Sequence, residues 1–350
     1  MTQSNQHLVL VGSYAAEDQP GIYAFLFDEG SGTLAPHGTY AGIANPSFLA
    51  LHPNGRWLYA VSELGAPGGS VCALQLEREP WRLEPINAQP SGGEAPCHLR
   101  LQAAGNWLLV SNYSSGSAEV LPILPDGALG APTDLVQHHG SGPNPARQDG
   151  PHAHSAIFSP DERFAIVADL GLDKLMIYAF DQTAGKLGTH GQGDAPAGAG
   201  PRHTEFHPNG TVLYVANELG NSVTAYDYDA ASSGLSERQT LPTLPEGAPD
   251  NTVADIHLAP SGERLYASNR GHDSLAVYRV AADGQLEQLA IESCGGACPR
   301  NFALAPGGKH VLVANQNSSE VVVLSLDRDG VPGEAVARVA VPKASCVIFA

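Results

Sequence analysis

Six times along its length this chain writes the same kind of hairpin, and that repetition limits its fold more than any other feature. The copies are NPSFLALHPNGRWLYAVSELG, APCHLRLQAAGNWLLVSNYSSG, PHAHSAIFSPDERFAIVADLG, GPRHTEFHPNGTVLYVANELG, TVADIHLAPSGERLYASNRG and CPRNFALAPGGKHVLVANQNS. Each has a short apolar run, a Pro/Asn/Gly-type turn and a second apolar run that ends in Asn, Asp or Ser, which is the pattern of two antiparallel strands. A third strand follows, as in SVTAYDYD or SLAVYRV, and then a weaker fourth. Four strands at a period of roughly 50 residues match one propeller blade.

The chain begins and ends inside a unit. HLVLVGSY and GIYAFLFD resemble second and third strands with no first strand before them, and the final ASCVIFA resembles a first strand with nothing after it. Pairing the two ends completes a seventh blade and removes the open edges of the array. The expectation is therefore an all-β, seven-bladed propeller of four-stranded antiparallel blades, with residues 1–350 as a single domain. No long segment carries apolar residues at helical spacing, and most of the 39 Gly and 27 Pro residues fall at turns.

Composition then removes whole classes of function. A formal net charge of −18 argues against nucleic acid and against anionic membrane surfaces, since both require clustered Lys and Arg. The N-terminal MTQSNQ is polar, and no apolar run approaches the roughly 20 residues that span a bilayer. Five cysteines without a CxxC pair favour neither a disulfide framework nor a zinc knuckle. These features predict a soluble, cytoplasmic protein with no metal and no cofactor. Neither a phosphate-cradling GxxxxGK[ST] loop nor a GxSxG elbow is present.

In a repeat, what every blade shares is architecture, and what one blade has alone is a candidate for function. Ser13, Ser62, Asn112, Asp169, Asn217, Asn269 and Asn315 end the second strands and are expected to satisfy backbone groups in the turns that follow; a calcium site is the competing reading of these oxygens. The next position varies: Tyr14, Glu63, Tyr113, Leu170, Glu218, Arg270 and Gln316. At the entrances to the innermost strands, facing the same end of the channel, lie Ser47, Cys97, His154, Arg202, Ala254 and Arg300, each followed by Phe48, His98, Ser155, His203, Asp255 or Asn301.

Charge collects on neighbouring blades as His154, Arg202, His203, Glu218 and Arg270. The hairpin turn at Pro208-Asn209-Gly210 makes Arg202 and Glu218 neighbours although they are 16 positions apart. Convergent polar groups at a funnel mouth are where chemistry is expected. The connection HHGSGPNPARQDGPHAHS leads into His154, and a long connection on that rim suggests a binding loop or lid. Arg147, Gln148 and His152 are its candidate substrate contacts, joined by His203 and Arg300; His138 and His139 are read as two exposed loop histidines.

GPNPARQDGPHAHS followed by DLGLDK, then GPRHTEFHPNGTVLYVANELG and SNRGHDSLAVY, resemble in order the seven-bladed propeller lactonases that include bacterial 6-phosphogluconolactonase and fungal carboxy-muconate lactonizing enzyme. The opening VGSYAAEDQPGIYAF also resembles the family's N-terminal strand pair, with Gly12-Ser13-Tyr14 where Gly-Thr-Tyr is commoner. The resemblance places the family's proposed site on His154, Arg202, Glu218 and Arg270. It implies hydrolysis of a sugar-acid lactone, above all 6-phosphogluconolactone to 6-phosphogluconate, without a metal. In that chemistry Glu218 or His154 serves as general base with the other as proton donor, while Arg202 and Arg270 stabilise the oxyanion and bind a phosphorylated or carboxylated substrate. The alternatives are a lactonizing cycloisomerase or calcium-dependent lactonase of the same fold, and a non-enzymatic propeller that binds partners.

Overall fold

The computed structural model describes residues 6–350, so most of the polar N-terminal stretch read above lies outside the described residues. Among the described residues every helix or strand element is a strand, and the strands form seven four-stranded antiparallel sheets. In chain order the blades are residues 49–90, 96–137, 153–194, 201–242, 252–293 and 299–340, numbered 1 to 6, and a seventh assembled from both chain ends. Blades 1 to 6 pair their four strands in sequence order, and blade 7 places the C-terminal strand before the three N-terminal ones. Contacts divide the chain into two units, Phe48–Thr240 and Met1–Ser47 with Leu241–Ala350.

The first unit holds blades 1 to 4 up to Thr240, and its core explains the continuous apolar runs of the repeat. Alternate residues of a strand point to opposite faces. In blade 2, Leu108 and Val110 pack with Tyr59, Val61 and Val71 of blade 1, whereas Leu109 packs with Ala156, Ala165 and Val167 of blade 3. Ile166 and Leu175 of blade 3 turn the other way, to Leu213, Val215 and Tyr226 of blade 4. A second strand buried on both faces cannot alternate apolar with polar, so WLLVSN and FAIVAD read as unbroken runs.

The second unit repeats this packing in blades 5 to 7. Tyr266 and Val277 of blade 5 meet Phe302, Val311 and Val313 of blade 6, and Leu312, Ala314 and Val323 meet Val9, Val11, Phe25 and Val347 of blade 7. Blade 7 is closed as the sequence predicts. Its first strand, Ala344–Phe349, pairs antiparallel with Gln6–Ser13 through Val9↔Phe349, Leu10↔Ile348 and Val11↔Val347, and the Ser345 hydroxyl donates to Gly12 O at 3.2 Å and Ser47 O at 2.9 Å.

One local irregularity recurs. Where the first strand enters its sheet, pairing with the second strand skips a residue: Pro96↔Asn112 is followed by His98↔Ser111, Ala153↔Asp169 by Ser155↔Ala168, and Pro201↔Asn217 by His203↔Ala216. The same skip occurs at Pro299↔Asn315 and Asn301↔Ala314, at Ser345 in blade 7, and as a two-residue skip over Ala254 and Asp255 in blade 5. These are β-bulges, which leave one strand with an extra residue and re-aim its side chain. The extra residues of blades 2, 3, 4 and 6 are Cys97, His154, Arg202 and Arg300.

A buried acid lies within blade 2. Glu119, on the third strand Ser117–Pro122, is 1% exposed, pairs across to Val110 and Leu135, and leaves Oε2 without a hydrogen-bond partner. Burial pushes its carboxyl from the ordinary 4.5 up to about 8.

Two outcomes are expected. Deleting residues 345–350 exposes the edge of Gln6–Ser13 and removes Val347 from its core, so the cooperative melt followed by circular dichroism is lost; a truncated chain that melts like the intact one would contradict this closure. For Glu119, the folded state keeps a proton that the unfolded chain has released between the two pKa values, so stability falls as pH rises from 4.5 to about 8. Glu119→Gln should flatten that slope in denaturant titrations at several pH values, and an unchanged slope would remove Glu119 as its source.

Candidate active site

The site is built on the hairpin of blade 4, whose strands Pro201–Phe206 and Val212–Asn217 are joined through a turn in which Gly210 takes φ +72°. Pairing runs regularly from Phe206↔Leu213 to His203↔Ala216, skips Arg202, and resumes at Pro201↔Asn217. Just beyond, Glu218 N donates to Gly200 O at 2.7 Å. The skip aims Arg202 across the strand end, where its Nε lies 3.0 Å from Glu218 Oε2, and the two side chains are only 3% and 5% exposed. The pair expected from the turn is present, and it is buried.

A buried ion pair persists only where further polar contacts replace the lost water. Glu218 has two that matter. Arg147 Nη2 donates to Oε1 at 2.7 Å, and His154 Nε2 stands 3.9 Å from Oε2. Arg147 also reaches the Tyr113 hydroxyl at 3.4 Å. Burial works against the charge of Arg147, but its bonds to Tyr113 and Glu218 hold its guanidinium above the ordinary value.

His154 occupies in blade 3 the extra position that Arg202 occupies in blade 4. Its Nδ1 is 3.8 Å from the sulfur of Cys97, the extra residue of blade 2, and that thiol donates to His154 O at 3.3 Å. Behind it the rings of His154 and His203 meet edge to face at 5.4 Å, His203 meets His98 at 5.3 Å, and Phe48 covers His98 at 4.6 Å. All three imidazoles are less than one-tenth exposed. Among the described residues, no group of three or more His, Cys, Asp or Glu side chains is arranged to hold a metal ion.

The connection between blades 2 and 3 is pinned at several points. Gln148, expected at the substrate, is fully buried; its amide donates to Leu170 O at 2.8 Å and Asp173 Oδ1 at 2.7 Å and accepts from Asn144 N at 3.0 Å. It anchors the loop. His152 stacks on Tyr113 at 4.5 Å and donates from Nδ1 to Tyr113 O at 3.0 Å. His138 is not the exposed residue expected from its loop sequence. It is buried, with Nδ1 2.6 Å from Asp169 Oδ2, whereas His139 is exposed. The cause is Asp169, whose Oδ1 accepts from the amides of His152, Gly171 and Leu172 while Oδ2 draws His138 inward.

Asp169 thus satisfies backbone groups of its turn, as expected for residues that end second strands. Asn217 differs, donating to the side chains of Ser222 and Thr224. Arg270 and Arg300 belong to the other unit. Arg270 Nη2 donates to Val253 O at 3.1 Å, and the Arg300 guanidinium lies over the Tyr14 ring at 5.1 Å. The first unit therefore gathers Arg147, His154, Arg202 and Glu218 around one carboxylate, with His152 and His203 at its margins and Gln148 in support. Nothing local in the sequence marks Tyr113 as a holding group or pairs Asp169 with His138.

The family model described as "Lactonase, 7-bladed beta-propeller" matches residues 8–349. The 6-phosphogluconolactonase of Bacillus subtilis (strain 168) is 33% identical over 347 residues, covering 98% of each chain. That of Formosa agariphila is 33% identical over 339 residues, 91% of this chain and 92% of the relative. Among solved structures, the periplasmic gluconolactonase of Pseudomonas aeruginosa superposes with a TM-score of 0.93 at 32% identity, over 98% of this chain and 99% of that one.

Asp169→Ala would leave three backbone amides and His138 without their acceptor, and each unsatisfied buried group costs about 1–3 kcal/mol. Amide hydrogen exchange over residues 138–152 should accelerate by roughly tenfold or more, while the blade cores stay protected. Unchanged protection of that segment would show that Asp169 is not its anchor.

Proposed function

Because the chain belongs to the seven-bladed β-propeller lactonase family, we propose that its rim site hydrolyses a sugar-acid lactone, with 6-phosphogluconolactone as the substrate. The observation that carries the chemistry is Glu218, a nearly buried carboxylate held between Arg202 and Arg147 with His154 Nε2 3.9 Å away. Lactone opening needs a base for water, a positive charge for the carbonyl oxygen and an acid for the leaving ring oxygen, and these residues supply all three.

In this reading Glu218 takes a proton from water as the water oxygen bonds to the lactone carbonyl carbon. The carbonyl π electrons move to oxygen, where Arg202 stabilises the oxyanion. Collapse of the tetrahedral species breaks the bond from carbon to the ring oxygen, which takes a proton from the imidazolium of His154. The product is the open hydroxy acid. The proton on Glu218 is then close enough to return to His154, directly or through one water.

The substrate's charge fits the chain. Against a net charge of −18, two arginines on one carboxylate leave the rim locally positive, and guanidinium groups suit phosphate or carboxylate. The names of the Bacillus and Formosa relatives support the phosphorylated lactone. Five free thiols support a reducing, cytoplasmic setting.

Glu218→Gln and His154→Asn should each lower kcat on 6-phosphogluconolactone by roughly 10²–10⁴-fold with the fold retained. Their pH profiles should differ, the first losing the rise on the acid side and the second the fall on the alkaline side. Variants within a few-fold of the parent enzyme, or with these two effects exchanged, would contradict the assignment.

A further inference from the structure

Arg147 and Arg202 hold the same carboxylate in different ways. Arg202 is 3% exposed and built into the bulge of blade 4, so it stays where the fold puts it. Arg147 comes from a loop and its side chain is 38% exposed, and both of its hydrogen bonds, to Glu218 and Tyr113, are made by Nη2. The backbone beneath it does not need to move. Arg147 N and Gln148 N both donate to Asn144 O, Gln148 is clamped to Leu170 and Asp173, and His152 is held by Asp169 and Tyr113. The loop backbone is a fixed mount, and the charge it carries is part-exposed.

That charge sits where it weakens a base. The charged and titratable groups at this point include Arg202 on the first strand of blade 4, His154 on that of blade 3 with His203 against its ring, and Arg147 on the loop with the Tyr113 hydroxyl beside it. Each nearby positive charge favours the ionised carboxylate and makes it a poorer proton acceptor. A carboxylate with two arginines is secure in its charge but reluctant to take a proton.

We propose that Arg147 is a substrate-operated charge latch: it rests on Glu218 in the free enzyme and swings to the anionic substituent of a bound substrate, so that one positive charge fewer opposes proton uptake by Glu218. The proposal rests on Glu218 being the base of a lactonase. An anionic lactone then speeds its own hydrolysis as well as binding better, and a neutral lactone meets the latched, sluggish site. No covalent step is added. The guanidinium exchanges one oxyanion partner for another by side-chain rotation.

The test compares 6-phosphogluconolactone with unphosphorylated gluconolactone in the wild-type enzyme, Arg147→Ala and Arg147→Lys, reading kcat and KM separately across the mildly acidic to neutral range. In the wild type, kcat on the phosphorylated lactone should exceed that on the neutral one by roughly tenfold, and added inorganic phosphate should raise kcat on the neutral lactone. Arg147→Ala should raise kcat on the neutral lactone, shift the acid-side rise of its pH profile upward by about one unit or more, lose activation by phosphate, and raise KM for the phosphorylated lactone. Arg147→Lys should restore part of the wild-type discrimination. If Arg147→Ala changes KM alone, or lowers kcat equally on both lactones, and phosphate never activates, Arg147 is a plain binding or structural group and the latch is overturned. If the wild-type enzyme turns over neither lactone, the lactonase reading itself fails and takes the latch with it, whereas the other negative outcomes leave that reading standing.

Discussion

A carboxylate as buried as Glu218 keeps its charge inside a protein only if its surroundings replace the water it has lost. Here the replacement is an arginine on each oxygen, Arg147 on Oε1 and Arg202 on Oε2. Arg202 is as buried as the carboxylate, so its loss would leave a buried charge uncompensated, at a cost of about 3–5 kcal/mol, whereas Arg147 reaches Oε1 from a part-exposed position. The inner arginine depends on a one-residue bulge, since without the skip between Pro201↔Asn217 and His203↔Ala216 the side chain at position 202 would lie on a blade face. The same device in blades 2 and 3 brings Cys97 and His154 to the neighbouring points. An irregularity of sheet pairing, repeated blade after blade, aims the side chains from which the site is made.

The loop completes the constraint from outside. Asp169 collects three amides and a histidine, Gln148 ties the loop to Leu170 and Asp173, and His152 stacks on Tyr113. Six hydrogen bonds and a ring stack are made here without one of them touching Glu218. Their effect is to hold the backbone that carries Arg147, whose side chain is 38% exposed.

Much of this was legible before any coordinates. The repeated hairpins mark the blades, and ASCVIFA against HLVLVGSY marks the closure, because a strand without a partner at each end of the chain has one economical solution. The turn at Asn209-Gly210 was enough to set Arg202 beside Glu218. The bulges were not legible, since second strands apolar on both faces give no alternation against which an extra residue in the first strand would show. Gln148 reads as a polar loop residue and His138 as an exposed one, because what buries them, Leu170, Asp173 and Asp169, lies 22 to 31 positions away with no local signal. Glu119 hides in an apolar run for the same reason: its environment is made by neighbours across the sheet, Val110 and Leu135.

The central claim is that Glu218 is an ionised base held by its arginines. It is tested most directly by following the side-chain carboxyl carbon of Glu218 by NMR through a pH titration, in the parent enzyme and in Arg202→Met. The account predicts that Glu218 in the parent stays ionised well below the pH at which an ordinary glutamate takes up its proton, and that loss of Arg202 moves the titration upward. A Glu218 that titrates like a solvent-exposed glutamate in both proteins would contradict it.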